Sequence, residues 1–83
     1  MKLIFAPQAW ENYLYWVDHP DTLARLNGLI RECLRTPFSG TGKPEALRGD
    51  LKGWWSRRIT LADRFVYRVS GKAPDQSLEI AQC

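Results

Sequence analysis

The run Trp54-Trp55-Ser56-Arg57-Arg58-Ile59-Thr60-Leu61-Ala62-Asp63-Arg64-Phe65-Val66-Tyr67-Arg68-Val69 decides how this chain folds. Its side chains change character every second residue, the period of a β-strand. Trp54 to Thr60 and Arg64 to Val69 read as strands, and Leu61-Ala62-Asp63 reads as the short hairpin loop between them. If Thr60 pairs with Arg64 across that loop, Arg58 pairs with Val66 and Ser56 with Arg68. Arg58, Thr60, Arg64 and Arg68 then share one face. Trp55, Ile59, Phe65, Tyr67 and Val69 share the other, a core face fit to receive helices. Arg57 falls on the apolar side and is expected to escape at an edge, stem buried and head in water.

Upstream, Leu3-Ile4-Phe5 reads as a short first strand. Pro7 suits the first position of a helix, where a missing N–H costs nothing. Trp10, Tyr13, Leu14 and Val17 follow at helical spacing and predict one apolar face. Asp18-His19-Pro20-Asp21 breaks that helix. A second one is predicted from Asp21 to Arg35, with Leu23, Leu26, Ile30, Cys33 and Leu34 as its stripe and Pro37 as its stop. Gly28 weakens it by about 1 kcal/mol relative to alanine and is expected to allow close helix packing. Downstream, Lys72 to Gln76 is a polar connector and Ser77 to Gln82 a last strand. The order β-α-α-β-β-β predicts an α+β fold, two N-terminal helices packed on one face of a largely antiparallel sheet.

A chain of 83 residues suits one compact domain, residues 1–83. Four Trp, three Tyr and three Phe can fill its core. No apolar run is long enough to span a bilayer, and the opening Met1-Lys2-Leu3-Ile4-Phe5-Ala6 stops at Pro7, too short for a secretion signal. A cytoplasmic protein is expected. Cys33 and Cys83 fit no metal-ligand spacing, and His19 has no second ligand near it, so no metal and no other cofactor is expected. Cys33 reads as a small core residue.

Charge is uneven. Residues 31–72 carry ten basic and four acidic side chains, against two and three in residues 1–30. A concentrated basic patch attracts a polyanion, of which nucleic acid is the commonest; an ordinary solvated basic face has the same composition. Three arginines on one rigid sheet face would make a phosphate platform. Pro37-Phe38-Ser39-Gly40-Thr41-Gly42-Lys43-Pro44 is a turn-rich loop whose Gly-Lys pair is not a P-loop: Pro44 stands where Ser or Thr is needed. Glu45, the only acid between Glu32 and Asp50, is either a surface ion-pair partner or a general base aimed by a proline-led turn. Trp54 falls on the arginine face, where it can pack at an edge or stack on a base. His19 carries little catalytic weight.

These blocks also resemble a known family. Ala9-Trp10-Glu11-Asn12-Tyr13-Leu14-Tyr15-Trp16, Arg35-Thr36-Pro37-Phe38, Gly42-Lys43-Pro44-Glu45-Ala46-Leu47, Gly53-Trp54-Trp55-Ser56-Arg57-Arg58-Ile59-Thr60 and Asp63-Arg64-Phe65-Val66-Tyr67 are similar, in order and spacing, to the YoeB toxins of the RelE group. The resemblance implies a RelE-like fold and a ribosome-dependent, metal-independent endoribonuclease that cuts messenger RNA in the ribosomal A site. It implies neutralisation by a cognate YefM-like antitoxin, and a homodimer. It assigns Glu45 as general base and puts Arg64 on the scissile phosphate; Arg58, which matches a family arginine, can meet the charge gathered on the phosphorane together with Arg64. The remaining contacts expected to RNA and ribosome are Lys43, Arg48, Lys52, Arg57, Arg68 and Trp54.

Family members continue past the cysteine of the last strand with a basic tail whose histidine, in a His-Tyr pair, acts as general acid. This sequence stops at Cys83, and His19 does not match that position. The alternative expectation is therefore a catalytically impaired toxin that binds RNA and ribosome without cutting well.

Overall fold

The computed structural model describes residues 1–83. A first strand, β1 (Lys2–Phe5), leads into α1 (Pro7–Trp16) and α2 (Pro20–Arg35). Four strands follow: β2 (Glu45–Ala46), β3 (Trp55–Arg58), β4 (Arg64–Ser70) and β5 (Ser77–Gln82). They form one sheet in the order β1-β5-β4-β3-β2. β1 lies parallel to β5, and the other pairs are antiparallel. The α+β class and the helix layer on one sheet face are as the sequence predicts. The additional strand is β2. Two residues are too few to display a period, so only the loop before them is visible in the sequence.

Both helices begin on proline, Pro7 and Pro20, whose fixed φ suits a first turn. On α2 the buried residues are Leu26, Leu29, Ile30 and Cys33, so Leu29 joins the predicted stripe. On α1 only Tyr13 of the predicted face packs against the core. Trp10, Leu14 and Val17 are exposed, and the core receives Ala9, with Tyr13 and Trp16 half-buried. Polar anchors turn the helix this way. Trp16 Nε1 donates to the Cys83 carbonyl at 2.8 Å, and the Cys83 N–H donates to Asn12 Oδ1 at 3.2 Å. Gly28 is exposed, with nothing within 4 Å of where a Cβ would stand, so it serves no close packing.

From the sheet side the core receives Ile59, Phe65, Tyr67, Leu78, Ile80 and Cys83. Truncating one of the fully buried aliphatic residues, such as Leu26, would cost roughly 2–5 kcal/mol.

The hairpin register differs from the predicted one by two residues. Arg58 faces Arg64, Ser56 faces Val66 and Trp55 faces Tyr67. Thr60 and Asp63 explain the shift. Thr60 Oγ1 donates to Asp63 Oδ2 at 2.7 Å and accepts from the N–H groups of Ala62 and Asp63. The N–H groups of Ile59 and Thr60 both turn to the Asp63 carbonyl. Side chains thus close a wider turn before the ladder starts. A slip of two residues preserves strand parity, so the predicted faces survive it.

Candidate nucleic-acid interface on the open sheet face

The solvated face is built from β2, β3 and β4. Glu45 lies opposite Ser56 across β2 and β3, and Arg58 lies opposite Arg64 across β3 and β4. Cross-strand partners project to the same face. Arg64 Nη1 reaches Ser56 Oγ at 3.0 Å and lies 3.8 Å from Glu45 Oε2. Ser56 is buried, so it is a fixed acceptor that aims the guanidinium. The Glu45 side chain remains 59% exposed and that of Arg64 36%, which leaves both open to a ligand.

Arg58 is held by its backbone. Its N–H donates to the Gly42 carbonyl at 2.7 Å, and Arg25 on α2 donates to the carbonyls of Ile59 and Arg58. At Gly42 (φ 86°) an added Cβ would stand 3.1 Å from the Arg58 carbonyl oxygen, so glycine permits the close crossing. Next to it Lys43 adopts φ 51°, an uncommon conformation for a residue with a side chain, and is exposed. Arg48 and Lys52 are exposed beside the short 3₁₀ turn Gly49–Leu51. Trp54 is half-buried, and the Arg68 guanidinium lies 4.5 Å from its ring centroid. Arg68 also meets Glu79 at 3.2 Å.

Arg57 does not belong to this surface. Its alternation with Arg58 sends it to the core face, where it is 0% exposed and cannot touch RNA. Nor does its head reach water, as the sequence reading expects. Nε donates to Tyr67 Oη at 3.2 Å. Nη1 donates to Glu32 Oε2 at 2.5 Å and to the Thr41 carbonyl at 3.2 Å. Nη2 donates to the carbonyls of Thr36 at 2.5 Å and Ser39 at 2.8 Å. A buried charge is tolerated only when paired and hydrogen-bonded, and this one is both. Burial opposes its charge, but the bonds it donates to Tyr67 and Glu32 outweigh that and raise its pKa. The same burial pushes the Tyr67 hydroxyl up to about 12.

The site thus gathers Glu45, Arg58 and Arg64, with Lys43, Arg48 and Lys52 exposed on the segments that carry and follow Glu45 and the Trp54–Arg68 stack farther along β4. Ser56, Glu32 and Arg25 are the side chains that sequence reasoning did not single out. Only Ser56 had a signal, its alternation with the arginines. Beyond Arg64 lies a hollow of about 520 Å³, walled on one side by Gln8, Asn12, Tyr15 and Trp16 of α1. No three His, Cys, Asp or Glu side chains converge anywhere in the chain, and no helix is long and apolar enough to cross a membrane.

Known proteins are similar to this chain over its whole length. Toxin YoeB of Escherichia coli K12 is 48% identical over 84 residues, covering 100% of this chain and 95% of its own length. The solved YoeB/ParE toxin from Agrobacterium tumefaciens superposes with a TM-score of 0.96 at 50% identity, over 100% of this chain and 96% of that one. A Staphylococcus aureus YoeB, 35% identical and with a TM-score of 0.87 over 100% of this chain and 93% of its own, has been solved as a dimer and in a heterotetrameric YoeB-YefM toxin-antitoxin complex. The family described as YoeB-like toxin of bacterial type II toxin-antitoxin system matches residues 5–83. With the family model, the sequence and the fold all agreeing over nearly the whole of it, the chain belongs to the YoeB-like toxins.

Proposed function

We propose that this chain is an endoribonuclease that acts in the cytoplasm on messenger RNA in the ribosomal A site and so halts translation. Glu45 takes the proton of a ribose 2′-hydroxyl, whose oxygen attacks the adjacent phosphorus. The crowded phosphorane gathers negative charge, which Arg58 and Arg64 meet with guanidinium N–H donors. The bond to the 5′-oxygen then breaks, that oxygen taking its proton from water, which leaves a 5′-hydroxyl on one fragment and a 2′,3′-cyclic phosphate on the other; addition of water opens the ring to a 3′-phosphate. Two guanidiniums supply the charge that a metal supplies in other nucleases, so the reading calls on none. Lys43, Arg48, Lys52, Arg68 and Trp54 would hold the RNA and ribosome around this centre.

One observation carries the reading: a carboxylate and a guanidinium that the sequence keeps well apart stand 3.8 Å from each other on an open, basic sheet face. By likeness to the Staphylococcus aureus complex, the chain is neutralised by a YefM-like antitoxin and pairs as a homodimer. The test is Glu45→Gln on programmed ribosomes, with new messenger ends mapped by primer extension. Cleavage should fall by about two orders of magnitude or more, the scale of a lost general base, while ribosome binding is retained. Undiminished cleavage would reduce Glu45 to a surface acid.

A further inference from the structure

Glu45 is supported by the sheet on one side only, through its pairing with Ser56 on β3. It sits on a two-residue strand at the sheet edge, and the segment that delivers it, from Thr36 to Pro44, contains no regular structure. What shapes that segment is hydrogen bonding from below. Its carbonyls turn inward: those of Thr36, Ser39 and Thr41 accept from Arg57, that of Pro37 accepts from the Tyr67 hydroxyl at 2.6 Å, and that of Gly42 accepts from the Arg58 N–H. Glu32 completes the tie. It accepts from Arg57 and from the N–H and hydroxyl of Thr41, at 2.8 and 3.0 Å.

We propose that Arg57 is a positioning residue for Glu45: its buried guanidinium, paired with Glu32, gathers the carbonyls of the loop and so sets where the Glu45 carboxylate stands relative to Arg64. The inference rests on Glu45 being the general base. All five guanidinium N–H groups are committed, and three of the five bonds go to this loop. Past Thr41 the backbone has little freedom, because Gly42 and Lys43 are held in left-handed conformations and Pro44 restricts the residue before it. A displacement at Thr41 therefore passes on to Glu45. Misplacement of a reacting group by an ångström is enough to slow a reaction about a hundredfold.

Arg57→Lys keeps the charge for Glu32 but loses the fork that spans three carbonyls. Single-turnover cleavage on programmed ribosomes at saturating protein is measured for the parent, Arg57→Lys, Glu45→Gln and the double variant, with ribosome binding in parallel. Arg57→Lys should bind normally and cut roughly ten- to a hundredfold more slowly. In the Glu45→Gln background it should make no further difference, because a residue that acts through Glu45 has nothing left to position. An equal proportional loss in both backgrounds, or a loss confined to binding, overturns the positioning role. Parental cleavage by Glu45→Gln alone overturns the general-base reading instead. Glu32→Gln, altered at the surface end of the pair, goes through the same cycle, so that the comparison stands if Arg57→Lys does not fold.

Discussion

Arg58 and Arg64 stand directly opposite one another on β3 and β4, so two guanidiniums leave the same sheet face side by side. The Arg58 N–H points away from β4, to Gly42, which makes this a non-hydrogen-bonded pair of the ladder, the kind in which side chains lie closest. Like charges so placed repel. Arg64 is partly relieved by Glu45, whereas no acidic side chain pairs with Arg58. A phosphate bound between the two would resolve the repulsion.

Binding of an uncleavable 2′-deoxy oligonucleotide should therefore weaken steeply with salt. Arg58→Ala and Arg64→Ala should each lower the slope of log affinity against log salt by about 0.7, one phosphate contact on a single strand. An unaltered slope would remove that arginine from the phosphate path.

Arg64→Ala should slow cleavage by roughly 10²–10³, the scale of a lost donor to a developing oxyanion. Ser56→Ala removes only the acceptor that aims Arg64. It should cost about 1 kcal/mol of stability and give a cleavage rate between those of the parent and Arg64→Ala. A rate at either extreme, read in the same ribosome assay, would show that Ser56 has no aiming role or that Arg64 depends on it wholly.

Tyr67→Phe strands two partners at once, the Arg57 Nε–H and the Pro37 carbonyl. A buried group left without its bond costs roughly 1–3 kcal/mol. Urea unfolding should show a loss of that size with an unchanged slope. A neutral result would mean that water replaces the hydroxyl.

Stability should fall at both ends of the pH range. Burial holds the Tyr67 proton up to about 12 in the folded chain, against about 10 when unfolded. Above the lower value the unfolded chain releases a proton that the folded chain keeps. Stability is thus whole below that value and declines as pH rises through the higher one, by on the order of 2–3 kcal/mol. Tyr67→Phe should flatten this alkaline limb.

Glu32 works in the opposite sense. The Thr41 N–H bond, then the Thr41 hydroxyl and Arg57, hold its carboxyl below the ordinary range against the opposing effect of burial. Its contribution is present above the unfolded value and lost as pH falls through the folded one. Glu32→Gln should flatten the acid limb; unfolding curves that still steepen below neutral pH would place the effect on another carboxyl.

Much of the architecture is legible in the sequence. Pro7, Pro20 and Pro37 bracket the helices because proline accepts a first turn and refuses an interior one. Alternation places Arg58 and Arg64 on one face, and the structure keeps them there because its register differs from the predicted one by an even number of residues. The face of α1 was not legible, since Trp10, Leu14 and Val17 are as apolar as a core stripe. What oriented the helix was the polar grip of Asn12 and Trp16 on Cys83, a contact across nearly the whole chain.

The sequence alone determined the helix and strand periods, the two sheet faces and the blocks shared with the YoeB-like toxins, all of which depend on neighbours in the chain. Only the tertiary structure decided that the Arg57 head is buried rather than in water, and that Glu45 stands beside Arg64. A guanidinium can be buried only where several acceptors converge. Those acceptors come from α2, β4 and a loop remote in sequence, so no local pattern can announce them.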